Sequence, residues 1–154
     1  MSAPYHGRCF CGAIQYRVKA EPLTFYACHC TECQRRTGSA FALSMWVRRA
    51  DVELLAGQPS RYSVTPEGSK TKVATYCANC SARLWGEPLA VPDLAIVQPG
   101  TLDQPIGLEP VAHIWTRSAQ PWFIFPPDAV KFEVQPADMT ELMRLWQSKG
   151  QARA

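Results

Sequence analysis

Apolar and polar residues alternate with a period of two along most of this chain, which is the pattern of strands that bury one face. The clearest alternations follow two of the cysteine groups: Ile14, Tyr16 and Val18, then Phe41, Leu43, Met45 and Val47. Shorter apolar runs of the same kind are Leu54 with Leu55, Tyr62 with Val64, Val73 with Thr75, Leu94 with Ile96, and residues 111–115. Prolines and glycines punctuate these runs throughout. The pattern predicts a mainly β chain of short strands.

Two stretches have helical rather than strand spacing. The first covers residues 31–36, inside the second cysteine group. The second covers about 138–149, where Asp138 and Glu141 resemble a capping box. Its apolar positions are Met139, Leu142, Met143 and Trp146. Because these positions share one helix face, the sequence predicts a C-terminal helix packed on the sheet.

Length and composition predict one domain over residues 1–154, because the chain has 154 residues and 47% of them are hydrophobic. The charged fraction of 19% argues against disorder. The net charge of +3 is mild and forms no basic stripe, so no nucleic-acid partner is expected. The oligomeric state is left open.

The expected compartment is the cytoplasm, without a membrane partner. No apolar run approaches the ~18 residues of a membrane-spanning helix. The first seven residues lack the basic and then apolar form of a signal peptide. Thiols stay reduced in the cytoplasm, so cysteines there are more often metal ligands than disulfide partners.

Seven cysteines fall into three groups, which are Cys9 with Cys11, Cys28 with Cys30 and Cys33, and Cys77 with Cys80. An odd number argues against a complete disulfide framework. Cys77 and Cys80 have the spacing of a zinc knuckle, and the isolated pair Cys9 and Cys11 is the natural partner for it. Four thiolates close a tetrahedral site, so these two pairs predict a structural zinc ion.

The group Cys28, Cys30 and Cys33 can surround a second ion while leaving one position for water or substrate. Such a centre is suited to holding a substrate thiol as its thiolate. The alternative is that a histidine, His6, His29 or His113, fills the position and makes the site structural. An extended backbone would turn the His29 ring away from the ion, towards a polar rim or a hydrogen bond. His113 lies in an apolar strand and could equally be a satisfied core residue.

Three segments resemble the glutathione-dependent formaldehyde-activating enzyme family, also called the centromere protein V type. They are residues 7–14 (GRCFCGAI), residues 28–41 (CHCTECQRRTGSAF) and residues 77–80 (CANC). The resemblance spans about residues 5–130. It implies an Mss4-like fold of short antiparallel strands around two zinc ions, with Cys9, Cys11, Cys77 and Cys80 on the structural ion and Cys28, Cys30 and Cys33 on the catalytic one.

The activity that the resemblance implies is that of a carbon–sulfur lyase. The type reaction adds the thiol of glutathione to formaldehyde and gives S-hydroxymethylglutathione, and its reverse cleaves the carbon–sulfur bond. Glutathione carries two carboxylates, so we expect cations and backbone donors beside the catalytic cysteines. The residues expected to bind it are Arg35, Arg36, Gly38 and Ser39, and His29 is expected to assist proton transfer. Trp115, Trp122 and Phe123 either wall this pocket or belong to the core.

Two other functions stay open at the level of sequence. A non-catalytic, zinc-stabilised interaction module would use Arg48 and Arg49, or Lys70 and Lys72, to dock an acidic partner. A thiol or metal sensor would instead use the three-cysteine group as a labile site.

Overall fold

The structure is a computed structural model that describes residues 3–65, 70–104 and 107–152. Over these residues the chain is mainly β, with eleven strands in two sheets and two α-helices. The mainly β prediction is confirmed. The chain forms two compact units: one comprises residues up to Pro22 together with Met45–Leu108, and the other comprises Leu23–Ser44 and the residues from Glu109 onward. The single domain over residues 1–154 stays a prediction.

The elements follow one another along the chain as strands with one helix inserted early and one at the end. The strands are β1 Tyr5–Arg8, β2 Gln15–Val18, β3 Thr24–Cys28, β4 Ala42–Arg48, β5 Val52–Ala56, β6 Ser60–Val64, β7 Lys72–Tyr76, β8 Arg83–Pro88, β9 Leu94–Val97, β10 Ala112–Ile114 and β11 Val130–Lys131. The helices are α1 Thr31–Thr37 and α2 Thr140–Ala152.

The first unit is built from antiparallel pairs. Strands β1, β2 and β5 form a three-stranded sheet, and β9, β8, β7 and β6 pair in that order, with the end of β4 on β9. One face of strand β2 is buried, since Tyr16 and Val18 are fully buried while Gln15 is exposed, and this produces the period-two pattern seen in the sequence. The Tyr16 ring packs against Trp85 with 5.5 Å between ring centroids. This contact fixes one side of the unit's core.

The second unit departs from the expected antiparallel arrangement. Here β10 pairs in parallel with both β3 and β11. A hairpin turn forces neighbouring strands to be antiparallel, but a long stretch of chain separates β3 from β10 and leaves either direction open. Strand β3 is buried at every residue, and the hydroxyl of Thr24 donates to the Leu142 carbonyl of α2 at 2.8 Å. The C-terminal helix therefore covers this strand.

Both predicted helices are present, with shifted ends. Helix α1 ends at Thr37 because Gly38 adopts a left-handed conformation (φ 63°) and donates its N–H to the Gln34 carbonyl. Helix α2 begins at Thr140 rather than near Asp138, whose carboxylate accepts from the N–H and the hydroxyl of Thr140. The expected capping box is wrong in this detail, because the N–H of Glu141 donates to the Asp138 carbonyl instead.

None of the helices in the described ranges combines the length and the apolar character needed to cross a bilayer.

Candidate metal centres

Four cysteine sulfurs of the first unit converge on one point. The Sγ atoms of Cys9, Cys11, Cys77 and Cys80 all lie within 4.8 Å of one another. The Cys9–Cys11 separation is 3.5 Å and the Cys11–Cys77 separation is 3.7 Å. A tetrahedral zinc ion with Zn–S bonds of ~2.3 Å places its sulfur ligands ~3.8 Å apart. The four sulfurs therefore have the spacing that a closed zinc site requires.

Two similar backbone turns present these sulfurs. The N–H of Gly12 donates to the Cys9 carbonyl at 3.0 Å, and the N–H of Ser81 donates to the Cys77 carbonyl at 2.8 Å. Gly12 and Ser81, each directly after the second cysteine of its pair, have left-handed backbone conformations with φ of 78° and 60°. The N–H of Ile14 also donates to the Cys9 sulfur at 3.2 Å. The chain thus reverses sharply after each pair, which keeps both sulfurs on the inner side.

The cysteines of this cluster differ in solvent exposure and in the pKa of their thiols. Cys9 and Cys77 are buried, whereas Cys11 is exposed. Hydrogen bonds from the backbone, first at Ala82, lower the pKa of the Cys80 thiol to about 6. A thiol of low pKa is readily available as the thiolate that a metal ion binds. Each of the seven cysteines in the chain is a free thiol, so all of them are available as metal ligands.

Three further sulfurs converge in the second unit, where β3 ends and α1 begins. The Sγ atoms of Cys28, Cys30 and Cys33 lie within 4.8 Å of one another. Cys28 is buried at the end of β3. Cys30 and Cys33 are half-buried, the first as the N-cap residue of α1 and the second in its first turn. Over residues 3–65, 70–104 and 107–152, no fourth Cys, His, Asp or Glu ligand atom joins this group. The described chain therefore offers three ligands and leaves one tetrahedral position free.

The thiols of the three-cysteine group differ in pKa. Hydrogen bonds from the Cys28 and Cys33 thiols lower the pKa of Cys30 to about 2, and the same interaction raises the pKa of Cys28. The N–H of Cys33 also donates to the Cys30 sulfur at 3.3 Å. One thiolate is thus stabilised at neutral pH before any ion arrives. A metal ion would displace the remaining thiol protons, as coordination of thiols by zinc does.

The His29 side chain is not on a polar rim, so that expectation is wrong. The side chain is fully buried and packs against Phe41, Phe123 and Phe125, with ring centroids 5.1, 4.9 and 5.3 Å away. The other sequence expectation, a hydrogen bond, is present, since His29 Nε2 and His113 Nδ1 lie 2.9 Å apart. Burial, then the charge of His113, lowers the pKa of His29 to about 4, so the ring is neutral at pH 7. Phenylalanines that are remote in sequence create this enclosure.

No histidine joins the three-cysteine group within the part of the chain that the structure describes. His113 is buried, hydrogen-bonded to His29 and has a pKa lowered by burial, so it behaves as the satisfied core residue that the sequence left open. His6 lies on an exposed position of β1 in the other unit. The alternative in which a histidine closes the second site is not supported by this arrangement.

The two arginines after the cluster have different surroundings. Arg36 is half-buried, and its Nη2 lies 3.9 Å from the Cys33 sulfur, which puts a positive charge directly beside the three-cysteine group. Arg35 is largely exposed and forms an ion pair with Glu32 at 2.6 Å. Exposed ion pairs contribute little free energy, ~0–1 kcal/mol, so this one can exchange for a ligand carboxylate.

In the turn after α1, the N–H groups of Gly38 and Ser39 form hydrogen bonds within the turn itself. The N–H of Gly38 donates to the Gln34 carbonyl at 2.9 Å, and the N–H of Ser39 donates to the Thr37 hydroxyl at 3.3 Å. Both N–H groups are therefore engaged within the turn, and the expected role of Gly38 and Ser39 in binding glutathione stays a prediction. The engagement is local, because the left-handed residue that ends the helix directs its own N–H back to the last turn.

Sequence reasoning missed Gln34, which connects the cluster to a distant segment. Its Nε2 donates to the His29 carbonyl at 2.8 Å and to the Ser118 carbonyl at 2.9 Å, while its Oε1 accepts from Gln120 at 2.7 Å. The structure also separates two of the aromatic residues for which the sequence left pocket wall and core open. Trp122 is 68% exposed and so is not part of the core, whereas Phe123 packs on His29.

The basic residues that a docking module would use are only partly available. Arg49 donates to Glu87 at 2.9 Å and lies over the Trp85 ring at 5.9 Å. Glu87 also accepts from Arg61 at 2.6 Å. The Arg49 guanidinium is thus already paired within its own unit, which weakens Arg49 as a contact for an acidic partner.

Comparisons with known proteins show the family and the fold of the chain. A family model described as glutathione-dependent formaldehyde-activating enzyme matches residues 4–118. A crystal structure of a Rhodobacter sphaeroides protein, determined as a structural genomics target, is similar with a TM-score of 0.52 and 20% sequence identity. The match covers 82% of this chain and 98% of that one, and it shows a shared fold. No curated protein matches the chain.

Replacement of one cysteine in each cluster should separate the two sites. We expect Cys80→Ala to abolish the cooperative thermal transition, because four-sulfur zinc binding contributes directly to the free energy of folding. Cys30→Ala should keep that transition and lose one of two zinc ions. Calorimetry and elemental analysis of the purified proteins measure both effects. A Cys80→Ala protein that melts like its parent would contradict the structural assignment.

Proposed function

This chain belongs to the glutathione-dependent formaldehyde-activating enzyme family, and on that premise we propose that it is a zinc-dependent carbon–sulfur lyase. Its substrate would be a thiol–aldehyde adduct of the S-hydroxymethylglutathione kind. One observation carries the proposal: the first cluster has four sulfurs, whereas the second has three and gains no other ligand atom from the described residues. A purely structural pair of sites would have closed both.

The donor sets fit two zinc ions with different tasks. Four thiolates from Cys9, Cys11, Cys77 and Cys80 match a structural ion, which thiolate ligands and tetrahedral spacing favour. Cys28, Cys30 and Cys33 would hold the second ion, which would supply an open coordination position at which a thiol is kept as its thiolate.

Arg36 is the residue that we propose for binding the substrate close to the sulfurs. Its guanidinium lies against Cys33 and can offset part of the negative charge of three thiolates. A guanidinium also binds carboxylates through two parallel hydrogen bonds. Arg35 is proposed as a second, outer contact that exchanges Glu32 for a glutathione carboxylate. Because Gly38 and Ser39 have used their backbone donors, the arginine side chains carry this recognition.

The proton in the reaction is better supplied by solvent than by His29. In the synthetic direction the thiolate sulfur attacks the carbonyl carbon of formaldehyde, one carbon–sulfur bond forms, and the oxygen takes a proton from water. The reverse direction removes that proton and breaks the bond. His29 is fully buried and its Nε2 is bonded to His113, which argues against direct transfer to a substrate. Holding the two reactants together can contribute up to ~7–11 kcal/mol to such a step.

Carbon NMR exchange spectroscopy tests the proposal, because glutathione and formaldehyde also react without a catalyst. The purified protein should accelerate the interconversion of formaldehyde hydrate and S-hydroxymethylglutathione above the buffer rate. Cys33→Ser should return the exchange to that rate, since it removes one of three ligands. Ser148→Ala on α2, an exposed position, is the control and should retain the acceleration. Exchange at the buffer rate with the zinc-loaded parent would refute the proposed activity.

Arg36→Met should reveal carboxylate recognition. We expect KM for glutathione to rise by ~10-fold or more, because the variant loses a charge-assisted hydrogen bond to the carboxylate. The effect on kcat should be smaller. The same variant should barely change KM for 2-mercaptoethanol, which has no carboxylate. Arg144→Met is the matched control, because Arg144 is exposed on α2 and paired with Asp138. Equal losses with both thiols would assign Arg36 to metal-site integrity instead.

A further inference from the structure

The geometry points to Gln34 and His113 as positioning residues that fix the three-cysteine cluster through His29. This inference rests on the metal site of the proposed function. His29 lies between Cys28 and Cys30 in sequence, so its backbone sets the separation of two of the three sulfurs. No other residue separates these ligands, and a change in its φ or ψ would move one sulfur relative to the other.

The backbone of His29 is held on both sides. Its N–H donates to the Ile114 carbonyl at 3.0 Å, which continues the pairing of β3 with β10. Its carbonyl accepts from Gln34 Nε2 at 2.8 Å. Gln34 in turn lies one turn after Cys30, to whose carbonyl it donates its own N–H at 3.0 Å. The Gln34 side chain therefore closes a loop around the residues that carry the sulfurs.

The orientation of the Gln34 amide is determined by its partners. Its NH2 group faces two carbonyl oxygens, those of His29 and Ser118, and its oxygen faces the NH2 group of Gln120. The reversed amide would place an oxygen against two acceptors, so only one orientation satisfies every group. One side chain thus joins the cluster to the segment around Ser118, which follows His113 and β10.

The ring of His29 is held as firmly as its backbone. Its Nε2 lies 2.9 Å from His113 Nδ1, and its Nδ1 has no hydrogen-bond partner within the described residues. A buried, unpaired N–H costs more than a bare acceptor of the same ring. The favoured tautomer therefore has His29 donating from Nε2 to His113 Nδ1. Phe41, Phe123 and Phe125 surround the ring and oppose its rotation.

An open metal site needs such support more than a closed one. Four ligands hold one another at tetrahedral angles through the ion, whereas three ligands can spread towards the free position. Groups that hydrogen-bond around a metal site orient its ligands, and their loss typically lowers metal affinity by ~10–100-fold. The two left-handed turns of the four-sulfur cluster have no counterpart between Cys28 and Cys30, where the side chains of Gln34 and His113 take that role.

Gln34→Met tests the inference, because methionine has a similar length and lacks both donors. We expect chelator competition to show a ~10–100-fold weaker zinc ion at the three-cysteine cluster only. With cobalt in place of zinc, the ligand-field bands of that site should shift, while those of the four-sulfur site should stay unchanged. Gln147→Met is the matched control, since Gln147 is exposed on α2 in the same unit. It should leave both sites at parental affinity.

His113 offers a rescue experiment. His113→Leu removes the acceptor for His29 and should weaken the same zinc ion. His113→Asn places an amide oxygen near the position of Nδ1. Because the acceptor is retained, we expect zinc affinity to stay within about threefold of the parent, well short of the loss expected when the hydrogen bond is removed. The cobalt bands of the four-sulfur site show whether each variant is folded. If His113→Leu loses metal from both sites, the variant is misfolded and Gln34→Met decides the test.

The outcomes separate this inference from the proposed function. Parental affinity and unchanged bands in Gln34→Met would overturn the positioning role while leaving the enzyme proposal intact. Weakening of both clusters in Gln34→Met would also overturn it, because the residue would then support the unit in general. A parent protein that binds a single zinc ion would overturn the proposed function and, with it, this inference.

Discussion

The free fourth position on the Cys28, Cys30 and Cys33 cluster is the constraint on which the functional interpretation depends. Zinc favours four ligands, so three thiolates with no fourth ligand among the described side chains would leave room for an exogenous one. The same chain closes its other cluster with two cysteine pairs that are remote in sequence.

Local structure explains both outcomes. The four-sulfur cluster forms where two tight turns meet, each ending in a left-handed residue, Gly12 or Ser81. The three-sulfur cluster forms where a buried strand runs directly into a helix, so that Cys28 is enclosed while Cys30 and Cys33 stay partly accessible. Two sulfurs of this cluster are therefore accessible from solvent, as the proposed function requires. The paired histidines and Gln34 then stabilise the geometry that a fourth protein ligand would otherwise maintain.

Cysteine spacing and period-two alternation carried most of what the sequence could predict. Strands such as β2 were readable because one face is buried and the other exposed. Strand β3 was not, since burial at all of its residues removes the alternation, and its parallel partner β10 is far along the chain. The enclosure of His29 was also hidden. It depends on Phe123 and Phe125, and the local sequence around His29 does not predict contacts with residues so distant.

Cadmium NMR of the metal-substituted protein with added glutathione tests the free position most directly, because the cadmium chemical shift reports the number of sulfur ligands. The account predicts two resonances, of which one has the shift of a four-sulfur site and stays constant. The other should start at the shift of a three-sulfur site and move to that of a four-sulfur site as the thiol binds. Two resonances that both ignore glutathione, or a second one with a permanent histidine ligand, would contradict it.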